Sequence, residues 1–186
     1  HIPLRRQRQM CIRDRSMRPN GVLLAQIAPN GGIISGSSSV VQLDAWNWED
    51  ATVKYDQGIH INWPSPYTYG RWWLDEDRGL KVNNNYSSQV KGLKDFFEKS
   101  KANMNVNKSM NIKSKAMKSI INGESTVYLY ADDEKEIVDG VTFLKKFGIA
   151  KIVIVGASES RNQLDFIKAN NIPVIVKQPY SCLLYT

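Results

Sequence analysis

The sequence predicts an α/β protein in which parallel strands alternate with helices. Three observations carry that expectation. The last third runs β-α-β-α-β with short links, its strands are continuous apolar runs, and the segments between them repeat apolar residues at three- and four-residue spacing. A strand that is apolar at every position is buried on both faces, as happens when helices cover a parallel sheet.

Taken in chain order, "GVLLAQIAP" (residues 21–29) is a short apolar run closed by proline and reads as a buried strand. "NGGIISGSSSVVQL" reads as a Gly/Ser loop that passes into a second apolar piece. In "DAWNWEDATVKY", Asp44 or Asn47 can cap a short helix, and "GIHINWP" is a strand stopped by its proline. Residues 64–85 read as loop, because aromatics mix there with Pro, Gly and consecutive asparagines. Residues 86–101 read as an amphipathic helix on the spacing of Val90, Leu93, Phe96 and Phe97. A second helix covers residues 112–121 and stops at Asn122-Gly123. Then follow the strand "STVYLYADD", a helix "EKEIVDGVTFLKKFG" ended at Gly148, the strand "AKIVIVGA", a helix "SESRNQLDFIKANN" capped by Ser158, and the strand "IPVIV". This order fits either a doubly wound sheet or part of an eight-stranded barrel, and in both the ligand sits at the carboxyl ends of the strands.

Those strand ends supply the candidate functional residues: Asn30, His60, Asn62, Tyr130, Asp132, Asp133 and Glu159. His60 alternates with Ile59 and Ile61, so it shares a strand face with Asn62, which in a barrel can be the lumen. Asp132 and Asp133 precede a helix; there they can serve as general base or metal ligand, or cap the helix and complement its dipole. "VIVGASES" places Gly156 at a strand-to-helix turn that can receive phosphate, but it lacks the two-glycine spacing of a dinucleotide site, and a tight turn with a serine cap accounts for it. All five tryptophans fall in residues 46–73, where they form either a stacking wall for a ligand or an apolar plug between helices and sheet. A catalytic zinc site takes about three protein ligands, and the histidines and cysteines of this chain do not supply them. No metal ligand is assigned.

The net charge of +7 invites a nucleic-acid reading. Arg5, Arg6, Arg8, Arg13 and Arg15 less Asp14 give +4 of it, leaving +3 spread over mixed lysines and carboxylates, with no basic stripe. No nucleic-acid partner is expected on that distribution. Nor is a membrane span, since no apolar run approaches the roughly 18 residues required.

The stretch "NGVLLAQIAPNGGIISGSSSVVQLDAWNWEDATVKYDQGIHINWP" resembles bacterial amidohydrolases related to imidazolonepropionase, in particular through "LDAWNWEDA" and "GIHINWP". "VYLYADDEKEIVDGVTFLKKFGIAKIVIVGASES" followed by "NNIPVIV" resembles a later part of the same proteins. The resemblance covers roughly residues 20–177 and implies a partial TIM-type barrel of the metal-dependent hydrolase kind. It further implies a parent enzyme that uses a divalent, zinc-like metal to hydrolyse carbon–nitrogen bonds of a small molecule. The family's His-x-His and late catalytic Asp have no counterpart in this chain. Where relatives carry metal-binding histidines this chain has Tyr130 and Gly156-Ala157, neither a usual ligand. An internal fragment, inactive alone and without a cofactor of its own, is therefore expected; the alternative is a pseudoenzyme or a non-catalytic α/β ligand-binding domain.

Both cysteines lie near the ends, Cys11 in "QMCIRDR" and Cys182 in "SCLLYT". One codon choice for residues 182–186, TGT CTC TTA TAC ACA, has a reverse complement that, preceded by A, encodes Met10 through Asp14. That DNA element looks like the transposon-end adapter used in sequencing libraries. Residues 1–19 and 179–186 are accordingly expected to be non-native tails flanking a barrel segment at 20–178.

Overall fold

A computed structural model of the chain describes residues 17–45, 47–69, 79–104 and 112–177. Residues 1–16 and 178–186, hence both cysteines, the Arg5–Arg15 run and most of the expected tails, lie outside the described residues. The elements are β1 (Leu24–Ile27), β2 (Ile34–Gln42), α1 (Trp48–Ala51), β3 (Thr52–Asn62), β4 (Tyr67–Tyr69), β5 (Leu80–Val82), α2 (Tyr86–Met104), α3 (Ile112–Ile121), β6 (Thr126–Ala131), α4 (Glu134–Lys146), β7 (Ile152–Gly156), α5 (Leu164–Ala169) and β8 (Val174–Val176).

Six strands form one sheet in the order β1-β2-β3-β6-β7-β8, and β4 pairs with β5 in a separate hairpin. The pairs β3–β6, β6–β7 and β7–β8 are parallel, with Ile61 beside Leu129 and Leu129 beside Ile154. The sheet curls into half of a TIM-type barrel with its helices outside. Ile59, Ile61, Val127, Leu129 and Ile154 bury their side chains against Phe97, Met117, Ile137 and Val141 of the helices. Alternation then turns His60, Asn62, Tyr128 and Tyr130 to the opposite, concave face. Helix α4 comes close to β6 because Gly140 has no side chain: a Cβ there would lie 2.8 Å from Leu129.

Several boundaries follow the local chemistry. Asn47 caps α1, its Oδ1 accepting from the Asp50 N–H at 2.8 Å. Asp133 opens α4 with a capping box shared with Glu136. Gly123 and Gly148 take φ of +74° and +84° just past the ends of α3 and α4, the conformation in which glycine ends a helix without strain.

The first third departs from expectation. The run at residues 21–29 is not a buried strand but an exposed edge strand, Leu24 being 56 % exposed, and it pairs antiparallel with β2. β2 takes in both the apolar piece and much of the Gly/Ser stretch read as loop before it, and it runs antiparallel to β3 with register shifts at three points. Residues 64–85 contain the β4–β5 hairpin. Ser158 caps no helix: a 3-10 turn at Ser160–Gln163, with no side-chain cap, leads into α5. Among the described residues no helix is long and apolar enough to cross a membrane.

Candidate functional site

The carboxyl ends of β3, β6, β7 and β8 lie along one edge of the curled sheet, joined there by the β1–β2 connection because β2 runs antiparallel. Asn62 ties that connection down: its Nδ2 donates to the Gly32 carbonyl at 2.6 Å and to Ser35 Oγ at 3.0 Å. Asn30 sits within the same connection, exposed, next to Gly31 and Gly32 at φ of +102° and +73°.

His60 and Tyr130 meet on the concave face. They lie on adjacent strands, and His60 Nδ1 is 3.0 Å from the Tyr130 hydroxyl. His60 is 4 % exposed and stacks on Tyr128, ring centres 4.7 Å apart and planes 10° from parallel. Gly58 makes room for that stack, since a Cβ there would overlap the Tyr128 ring and approach the Thr126 carbonyl at 2.8 Å. Lys177, exposed just after β8, holds its ammonium 4.7 Å from the centre of the Tyr130 ring. Burial lowers the His60 pKa below 6.5 and, with Tyr128 alongside, raises that of Tyr130 above 10. The pair is therefore a neutral imidazole and a protonated phenol at neutral pH. His60 Nε2 is buried and has no hydrogen-bond partner among the described residues, a state that costs about 1–3 kcal/mol by the usual value for an unsatisfied polar atom.

The acidic candidates stand apart from this pair. Asp132 is exposed, and its Oδ1 accepts from Ser158 Oγ at 3.3 Å. Its carbonyl accepts from the Glu159 N–H at 3.0 Å, which seats the turn after β7. In that turn Gly156 and Ala157 both have positive φ, +109° and +55°, and a Cβ on Gly156 would overlap the Asp132 carboxylate. Asp133 belongs to the helix cap: its Oδ1 accepts from the Lys135 N–H at 3.0 Å. Glu159 is exposed and joins this group only through its backbone. So the structure brings His60 to Tyr130 and Asp132 to Glu159, but leaves Asn30 and Asp133 outside either group.

Three participants went unpredicted. Tyr128 and Lys177 have no sequence signal beyond strand alternation and position after the last strand. The third is Tyr86, whose hydroxyl donates to Asp139 Oδ2 at 2.7 Å and accepts from Trp63 Nε1 at 3.3 Å. Burial pushes its pKa up to about 12, the Trp63 bond opposing and Asp139 reinforcing the rise. Trp63 packs edge-on against Phe143 at 5.4 Å and is buried, so it serves as an apolar plug. Trp46, Trp72 and Trp73 lie outside the described residues.

The donor set does not fit the divalent metal that the family resemblance implies. Among the described residues no group of three or more His, Cys, Asp or Glu converges. His60 is the one described histidine, its Nδ1 engaged by a phenol and its Nε2 closed off. The strand ends beside it carry Tyr130, Ala131 and Gly156.

No protein-family model and no curated protein matches the chain. A solved structure, an amidohydrolase from Thermotoga maritima MSB8, is similar in fold with a TM-score of 0.69 and 17 % identity. The likeness covers 84 % of this chain and 42 % of that one, so the chain spans less than half the length of its structural neighbour. The described residues thus have an amidohydrolase-like fold, a partial TIM-type barrel.

Proposed function

We propose that this chain is an internal segment of a larger amidohydrolase-like hydrolase, related to imidazolonepropionase, whose substrate is a small molecule with a non-peptide carbon–nitrogen bond. The observation that carries the reading is the half-barrel itself: a parallel sheet shaped like a solved amidohydrolase, with a polar concave face at the strands' carboxyl ends, where barrel enzymes place their chemistry. On this reading residues 20–178 are barrel, residues 1–19 and 179–186 are adapter-derived tails, and the segment is inactive alone. Any divalent metal of the parent is held by residues other than those described here.

The misfit of the donor set favours a second reading, a parent that keeps the barrel but binds a ligand without hydrolysing it. One experiment separates the two. The encoding DNA is sequenced with its flanks, the complete reading frame is expressed, and bound metal and cyclic-amide hydrolysis are measured. Turnover with stoichiometric metal supports the hydrolase. A folded, metal-free and inactive parent overturns it in favour of the binding protein. Flanking DNA that lacks the complementary element removes the fragment reading.

A further inference from the structure

The phenol hydrogen of Tyr130 needs an acceptor, and His60 Nδ1 at 3.0 Å is the hydrogen-bond partner the described residues give it. With the phenol donating, the neutral imidazole carries its own proton on Nε2. The opposite arrangement, Nδ1–H donating to the phenol oxygen, would turn the phenol hydrogen away from the acceptor that the described residues give it. Around the ring, Tyr128 stacks on one side, Gly58 leaves the space that stack requires, and the Lys177 ammonium lies against the far partner's ring. These contacts come from two strands, β3 and β6, and the segment after a third, β8, so the imidazole is held in one orientation.

We propose that His60 and Tyr130 form a metal-free hydrogen-bonding dyad, in which Tyr130 is a positioning residue that occupies Nδ1 and fixes His60 as the Nε2–H tautomer with Nε2 buried, so that this part of the concave face is closed to the divalent metal that the family resemblance implies. The inference rests on the geometry of the pair and stands whether the parent hydrolyses or merely binds. The same distance explains what a single change would do. Two imidazoles on these adjacent positions can share a zinc ion, whose Zn–N bonds are about 2.0–2.1 Å.

The test is long-range ¹H–¹⁵N correlation of the histidine rings in the full 186-residue chain, followed through a titration with zinc alone. His1 gives a second set of ring signals, so His60 is identified by the signals lost in His60→Asn. The wild type is expected to show His60 with a protonated Nε2 and an unprotonated Nδ1, unmoved by one equivalent of zinc. Tyr130→Phe removes the donor, and the His60 nitrogens are expected to shift toward the averaged values of a free, exchanging imidazole. Tyr130→His is expected to confer zinc-dependent shifts at His60 that the wild type lacks. A protonated Nδ1 in the wild type, unchanged nitrogen shifts in Tyr130→Phe, or zinc coordination by wild-type His60 would each overturn the proposal.

Discussion

Among single residues, His60 makes the plainest statement about pH. An unfolded histidine titrates near 6.5, and burial holds the folded one lower. Between those values the unfolded chain binds a proton that the folded chain does not, so stability is full above pH 6.5 and falls as the pH drops below it. Urea midpoints measured at pH 7.5 and 5.5 should show this loss in the wild type and a smaller one in His60→Asn. Glycines make the steric counterpart. Gly58→Ala drives a methyl group into the Tyr128 ring and toward a backbone carbonyl, and it should cost about 1–3 kcal/mol by the usual figure for overpacking. Gly92→Ala, at an exposed position of helix α2, meets nothing within 4 Å and should instead stabilise by about 0.5–1 kcal/mol. Comparing the two urea midpoints checks both. The site was half legible at this scale. Alternation through "GIHIN" assigned His60 and Asn62 to one face, and a strand end pointed to Tyr130, but that they meet depends on the register of β3 against β6, which no local pattern encodes.

At the scale of elements, legibility followed how local the stabilising interactions are. The β6-α4-β7 stretch was readable because apolar continuity, the Asp133–Glu136 cap and the glycine after Lys146-Phe147 all act within a few residues. That cap supplies a test: Asp133→Ala removes the oxygen that accepts from Lys135 N–H and should lower stability by about 0.5–2 kcal/mol, read as a reduced thermal midpoint. β2 was unreadable for the converse reason. Its Ile-Ser-Gly-Ser-Ser-Ser-Val-Val-Gln composition favours loop, and it is a strand because β1 and β3 bond it on both sides. Ser38 shows the compensation, its hydroxyl accepting from Gln26 Nε2 at 2.8 Å and donating to the Gly58 carbonyl at 3.3 Å. The helix after β7 lies within the stretch expected for it, but its start differs because a 3-10 turn, rather than a serine cap, begins it.

For the molecule as a whole, the curl of the sheet leaves β8 as an outer strand with Ile175 48 % and Val176 65 % exposed. Such an edge, apolar and unpaired among the described residues, templates association with other strands. Sedimentation of the full chain should reveal concentration-dependent oligomers, and Ile175→Lys should reduce them by placing a charge on that edge. An unchanged distribution would show that association, if present, uses another surface. The half-barrel also sets an order of assembly. β1, β2 and β3 are antiparallel neighbours joined by short connections, whereas β3 meets β6 only across a long excursion: His60 and Tyr130 are 70 positions apart. Closing so long a loop is entropically costly before its contacts form, and pairings of this kind are slow. The dyad on the concave face is therefore a late event in folding, a reporter that appears only once the two halves of the sheet have found each other.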